Sequence, residues 1–246
     1  MKVLILGSSS GMGYELAKLM LRDGHTLGLA ARRTEPLETL RSAYPQQVHV
    51  SSIDVTLPDA PQKILSLIEE LDGIDLYFHS SGIGKQNWTL DFSIEDATLR
   101  TNALGFTHCI DTVFHYFANR PEGGHIACIS SIAGTKGLGV APSYSATKAF
   151  QNCYIQALEQ QANIRHLPIR FTDIRPGFVQ TALLNDSHHY PMMLKPEDAA
   201  RQIYRVLLQK RHIRIIDWRY RLLVPLWRLI PNSLWRRLTI KTNSSS

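Results

Sequence analysis

Tyr144 and Lys148 stand four positions apart in the stretch "YSATK". On a helix, side chains at i and i+4 share a face, with β-carbons roughly 5–6 Å apart. A free phenol has a pKa of about 10 and exchanges protons poorly at neutral pH. An ammonium group beside it stabilises the phenolate and lowers that pKa. A phenol tuned in this way can give a proton to a carbonyl oxygen as hydride reaches the carbon, or take one from an alcohol in reverse. Ser131, thirteen residues before the tyrosine, ends the apolar run "IACISS". A hydroxyl there can hydrogen-bond a substrate oxygen and stabilise the charge that develops on it. A Tyr–Lys pair by itself is also what an ordinary solvated helix carries, so the rest of the chain has to supply the site.

Hydride transfer needs a cofactor that carries hydride, and the amino end of the chain offers a place for a dinucleotide. "LGSSSGMG" puts Gly7, Gly11 and Gly13 between an apolar run and a helical pattern. Glycines let the backbone turn sharply and approach a pyrophosphate, and the free N–H groups and dipole of the following helix face the anion. At the end of the second apolar run stands "AARR", residues 30 to 33. An acid at that place would bind a ribose 2′-hydroxyl and favour NAD. Small residues followed by Arg32 and Arg33 instead leave room for a 2′-phosphate, held by bidentate, charge-assisted hydrogen bonds. NADP(H) is therefore expected over NAD(H), with Arg32 on the phosphate and Arg33 assisting it or facing water.

The elements that must position these residues are legible in the pattern. Short apolar runs at 2–6, 26–30, 48–55, 74–82, 124–131, 169–177 and 212–216 read as strands. Helical spacing fills 12–22, 36–44, 60–71, a long stretch from 93 to 118, 144–163 and 196–210. This alternation predicts an α/β fold: a doubly wound parallel sheet of about seven strands with helices on both faces. In such sheets ligands sit beyond the carboxyl ends of the strands. Residues 1–217 form that domain, and residues 218–246 form an extension whose last residues are expected to be disordered.

"GSSSGMG", "ISS", "YSATK" and "RPGFVQT" occur in the order and spacing of the short-chain dehydrogenase/reductase family, which the chain resembles from Lys2 to about Ile216. The resemblance implies a Rossmann-like fold and a set of roles. Tyr144 is the acid/base. Lys148 lowers its pKa and holds the nicotinamide ribose. Ser131 orients the substrate carbonyl. Asn102 supports a water-linked proton path to the lysine. Around the cofactor it implies Gly7, Ser9, Ser10, Gly11, Met12 and Gly13 in the loop, Asp54 and Val55 at the adenine, and Ser81 and Gly82 after the fourth strand. Pro176 and Gly177 shape the loop beside the nicotinamide, and Val179 and Thr181 bind its carboxamide. There are departures. Leu6 replaces the family's threonine before the first glycine, and His79, Ser80, Ser81 and Gly82 stand where "NNAG" is usual. Ser8, Ser9 and Ser10 leave no basic residue inside the loop, so the NADP(H) expectation rests on Arg32 and Arg33.

The resemblance also implies a lid at 185–193. A lid lined by Leu183, Leu184, Tyr190, Met192 and Met193 suggests an apolar substrate, with Trp88 either bordering that pocket or packing on its own loop. His188 and His189 point apart in most backbones, so no metal is expected. The formal net charge of +6 hides an asymmetry: residues 201–246 carry eleven basic side chains and one acid, Asp217. Trp218, Tyr220, Trp227 and Trp235 alternate there with arginines, while Pro225 and Pro231 are expected to break the segment into short pieces. Arg214, Arg221 and Arg228 recur every seven residues and would share a helical face. Either the extension lies at a membrane surface, or it packs on the body or a partner subunit; the sequence leaves both open, and nucleic acid is not expected. Cys109, Cys128 and Cys153 show no CxxC spacing and read as reduced core thiols of a cytoplasmic protein.

The expected function is an NADPH-dependent carbonyl reductase or alcohol dehydrogenase, a homodimer or homotetramer through the helices around 93–118 and 144–163. Two other classes stand beside it. One is an NADPH-binding regulator without turnover, which would not need Asn102, Ser131, Tyr144 and Lys148 together. The other is the reductase half of a membrane-associated lipid-linked sugar epimerase, for which the extension is the hint.

Overall fold

The computed structural model describes residues 1–181 and 190–239. Seven strands form one sheet: β1 (Lys2–Leu6), β2 (Thr26–Ala31), β3 (Val48–Ser52), β4 (Leu76–His79), β5 (Gly124–Ile129), β6 (Ile169–Arg175) and β7 (Ile213–Ile215). Their order is β3-β2-β1-β4-β5-β6-β7, and every pairing is parallel. Parallel neighbours require crossovers, supplied by α1 (Gly11–Arg22), α2 (Glu35–Ala43), α3 (Ala60–Glu70), α4 (Phe92–Leu99), α5 (Phe106–Ala118), α6 (Pro142–Ile164) and α7 (Pro196–Leu208). The order reverses between β1 and β4, which opens a crevice at their carboxyl ends.

The alternation of side chains along β1 shows why both faces are covered. Leu4 and Leu6 point into a core with Ile64 and Leu67 of α3, Phe106 and Ile110 of α5, and Ile155 of α6. Val3 and Ile5 point the other way, onto Leu16 and Met20 of α1, Leu37 of α2, and Ala200 and Ile203 of α7. All four β1 residues are buried, and each such burial contributes about 1.5–3 kcal/mol. A strand apolar on both faces has no stable place except between two helical layers.

Two elements differ from expectation. The helical stretch from 93 to 118 is not uniform: a π-helical segment, Arg100–Gly105, separates α4 from α5. In the extension, Pro225 does not break the chain. Helix α8 (Trp218–Leu229) runs through it, and the short α9 (Asn232–Trp235) follows Pro231. Pro225 removes one N–H bond and its ring crowds the carbonyl of Arg221, but both residues are exposed, so that carbonyl can turn to water. Arg214 lies in β7, so only Arg221 and Arg228 share the helix. Cys109 and Cys128 are buried core thiols, whereas Cys153 is exposed.

Candidate active site

The loop after β1 is built for close approach. Gly7 and Gly11 have φ of 89° and 58°, and a β-carbon on Gly7 would lie 2.5 Å from the Ser81 backbone nitrogen. Gly7 N–H bonds the Ala30 carbonyl at 2.7 Å, tying the loop to the end of β2. Ser8 is buried there, and Ser10 stands at the N-cap position of α1 in extended conformation, its side chain making no capping bond. Gly11 faces Thr181, whose Cγ2 would stand 3.1 Å from an added β-carbon. The first turn of α1, with Gly11, Met12 and Gly13, and the segment after β6 thus converge on one place. Ser9 is partly exposed beside it. This narrow, glycine-walled cradle at a helix N-terminus fits a dinucleotide pyrophosphate.

Arg32 and Arg33 are both exposed at the end of β2. Across from them, burial would raise the Asp54 carboxyl, but hydrogen bonds from the Thr56 N–H and hydroxyl, together with the Arg32 charge, hold it below its ordinary value. Its Oδ1 accepts both Thr56 bonds, at 2.9 and 2.8 Å. Val55 is buried next to it, where Gly105 packs on its carbonyl.

Helix α6 carries the tyrosine and the lysine to the ends of β4 and β5. The Tyr144 ring packs on Gly84: a methyl there would come within 2.4 Å of Cδ2. Lys148 is buried, its Nζ 5.8 Å from the Tyr144 ring centroid. The ammonium donates to the Ile129 carbonyl at 3.0 Å and to Gln151 Oε1 at 2.9 Å. Burial pushes the Lys148 pKa down to about 8, with Cys128 and Asp173 acting upward. Ser131, buried just past β5, has its Oγ accepting from Ala133 N–H at 3.0 Å. Burial also raises the Tyr144 pKa, and the hydrogen bond with the Ser131 side chain draws it down. The expected downward pull from the lysine is not what dominates here: the ammonium lies against the ring and spends its bonds on other oxygens.

Asn102 lies in the π-helical segment, fully buried. Its Oδ1 accepts from Ile83 N–H at 2.9 Å, and its Nδ2 donates to the Ile83 carbonyl at 2.7 Å and to Thr147 Oγ1 at 3.2 Å. The carboxamide thus clamps the strand-like segment after β4 onto α6 and holds Ser81 and Gly82 beside Lys148; a β-carbon on Gly82 would lie 3.5 Å from Nζ. After β6, Ile132 N–H bonds the Pro176 carbonyl at 3.0 Å, and Gly177 lies against Tyr220 of α8. Val179 is buried and bridges Leu194.

A model of the short chain dehydrogenase family matches residues 1–190. The chain belongs to that family. Uncharacterized oxidoreductases of Mycobacterium tuberculosis and Myxococcus xanthus are similar over nearly all of their length: the first is 29% identical over 251 residues, covering 96% of each chain, and the second is 28% identical over 239 residues, covering 94% of this chain and 93% of its own. Among solved structures, a short-chain dehydrogenase of Streptomyces avermitilis superposes with a TM-score of 0.79 at 20% identity, over 96% of this chain and 95% of its own. A serine dehydrogenase complexed with NADP+ gives 0.74 at 24% identity, over 84% and 89%.

As a short-chain dehydrogenase the chain is an oxidoreductase working with a nicotinamide cofactor, and its departures from the family pattern acquire structural meaning. His79 is buried at the end of β4, its Nδ1 2.9 Å from the Tyr77 hydroxyl, and edge-on to Phe106. Burial, with Lys148 nearby, lowers its pKa to about 3, so it stays neutral. Beside Gly177 stands an aromatic wall. Phe178 packs on Tyr190 with ring centroids 4.7 Å apart and on Tyr220 at 6.4 Å, and the Tyr220 hydroxyl donates to the Pro191 carbonyl at 2.9 Å. Trp88 is 61% exposed, its indole N–H directed to Gln86 Oε1 at 3.3 Å. Of the expected lid, Leu183, Leu184, His188 and His189 lie outside the described residues. Among the described residues no cluster of His, Cys, Asp and Glu is arranged to hold a metal, and no helix is long and apolar enough to cross a membrane. Sequence reasoning missed Gln151 and the aromatic contribution of α8; an amide three residues after the lysine on the same helix was the available signal for the first.

Proposed function

We propose that the protein is an NADPH-dependent carbonyl reductase, able to run in reverse on secondary alcohols, with apolar substrates. The observation that carries this reading is the meeting of Tyr144, Ser131 and Lys148 at the ends of β4 and β5, beside the glycine cradle. The nicotinamide, when bound, supplies or accepts the hydride. The protein's own part is to handle the oxygen. Ser131 hydrogen-bonds the substrate oxygen. The Tyr144 O–H donates its proton to that oxygen in reduction and receives one from the alcohol in oxidation. Lys148 has one N–H left beyond its bonds to Ile129 and Gln151, and with its Nζ beside Gly82 it would hold the nicotinamide ribose of a bound cofactor. Arg32 holds the 2′-phosphate, consistent with its charge acting on Asp54. The exposed Phe92, Leu99 and Leu104 on α4 and the π-helical segment support self-association through that face.

The wall of Phe178, Tyr190 and Tyr220 supports an apolar substrate. A second observation supports an amphiphilic, lipid-like one. The α8 face that looks away from the body carries Trp218, Leu222 and Leu226, each 64% exposed, and Leu229, 79% exposed. This helix adjoins the aromatic wall, which favours peripheral contact with a membrane beside the site mouth.

The deciding experiment is NADPH oxidation across ketones of increasing chain length, with Tyr144→Phe as control. Wild type should turn over the longer ketones, and the variant should lose at least about 100-fold in kcat while binding NADPH as before. Equal NADPH consumption by both would end the assignment.

A further inference from the structure

We propose that Gln151 is a positioning residue of the proton-transfer site: its side-chain amide bridges Lys148 to the Asn102 carbonyl, taking the place of the water that the family resemblance puts between them, and it holds the lysine aimed and charged. This rests on the reading of Lys148 as part of the site.

The geometry is specific. In the π-helical segment the Phe106 N–H bonds the carbonyls of Ala103 and Thr101, passing over Asn102. The Asn102 carbonyl is therefore free to accept from elsewhere, and it accepts Gln151 Nε2–H at 2.8 Å. The other end of the same amide, Oε1, accepts from Lys148 Nζ at 2.9 Å. Gln151 is fully buried, so leaving either end unpaired would be costly. An ammonium has three donors. Two are fixed, on Gln151 and on the Ile129 carbonyl, which leaves one for the cleft. The amide dipole presents its negative end to the ammonium and so favours the charged form. A leucine at 151 would fill the space but make neither bond.

Besides Gln151, the lysine faces Tyr144 on its own helix, Cys128 on β5, Asp173 on β6 and His79 on β4. Cys128 is a buried thiol whose pKa is pushed up, and His79 is neutral. Asp173 is already engaged by Arg175 at 2.7 Å and by the Ser130 hydroxyl. Cys128 and Asp173 act on the lysine electrostatically, whereas Gln151 is the side chain that accepts a hydrogen bond directly from its ammonium.

The test is a direct titration of the Lys148 ammonium by NMR of lysine-labelled full-length protein, without cofactor, assigned by the resonance missing from Lys148→Met. Gln151→Leu should lower the lysine pKa by about one unit. Gln151→Glu keeps an acceptor and adds an acid, and it should leave the value at or above that of wild type. Loosened packing would do the opposite of the leucine result, returning the lysine toward its ordinary value of about 10.4. A leucine variant whose lysine does not fall, or a glutamate variant whose lysine falls as far, overturns the proposal. Should the leucine variant not fold, the glutamate variant decides: a lowered lysine there overturns it. If the titrations follow the expected order but no carbonyl is turned over, it is the proposed activity that fails.

Discussion

Arg32, at the end of β2, lies near enough to Asp54 for its charge to act on the carboxyl, and the proposed preference for NADPH rests on this arginine. A lone carboxylate there would repel a 2′-phosphate. Against burial, the hydrogen bonds from Thr56, with a smaller contribution from the Arg32 charge, hold the carboxyl below its ordinary value, and the arginine offers N–H donors to a dianion. Arg32→Ala should therefore raise the Kd for NADPH about tenfold or more, since hydrogen bonds to a charged group are worth about 1.5–3 kcal/mol, while the Kd for NADH barely moves. Fluorescence titration of the two cofactors checks this, and an equal change in both would assign Arg32 a general electrostatic role. Spacing fixed proximity for Tyr144 and Lys148, which do share a face of α6, while Ser131 lies two residues past β5, at the cap of the next turn, rather than in the strand. Spacing fell short where a side chain's role depends on what lies across from it. Gln151 reads as an ordinary solvated helix position until Asn102, 49 residues away, is seen to meet it. The sign of the Tyr144 shift likewise follows from burial, which spacing does not reveal.

Among elements, the most distinctive is α8, apolar on two sides. Tyr220, Val224 and Trp227 pack on Ile132 and Phe178 of the body. Trp218, Leu222, Leu226 and Leu229 form the opposite stripe, while Arg221 and Arg228 are exposed along its flank. A helix that offers apolar side chains outward between arginines suits the boundary of an anionic bilayer. Full-length protein should co-sediment with vesicles rich in phosphatidylserine, much less with neutral phosphatidylcholine, and less at high salt. Leu222→Glu with Leu226→Glu should reduce the binding at least about tenfold, at little cost to folding because both side chains are exposed. Unchanged binding would point to a protein partner for this face. The strands and helices of the body were legible from their apolar periods. The π-helical segment was not, because a single wider turn inside a long helical stretch is too short to set a period of its own. Nor was the continuity of α8 through Pro225, since a proline is tolerated when the carbonyl it orphans faces water.

For the molecule as a whole, the sheet's interior holds two histidines, and this sets how the fold responds to acid. His79 at the end of β4 and His125 at the start of β5 are both buried, His125 with its Nε2 2.8 Å from Thr172 Oγ1. Burial lowers their pKa values to about 3 and about 4, helped by Lys148 for the first and Lys210 for the second. In the unfolded chain each returns to about 6.5. Both are thus neutral when folded and take up protons on unfolding as the pH drops below about 6.5. Their contribution is fully present above that value and is lost progressively as pH falls toward about 4, the folded value for His125, with His79 extending the loss lower. Each proton taken up costs about 1.4 kcal/mol per pH unit, so both together tilt stability by up to roughly 3 kcal/mol per unit. Urea melts at pH 7, 6 and 5 should show a midpoint that falls steeply across this range. His79→Asn should roughly halve the slope, because asparagine cannot protonate there. A midpoint that stays level between pH 7 and 5 would mean that these rings pick up protons without opening the sheet, and that the two helical layers are less tightly closed over it than their packing implies.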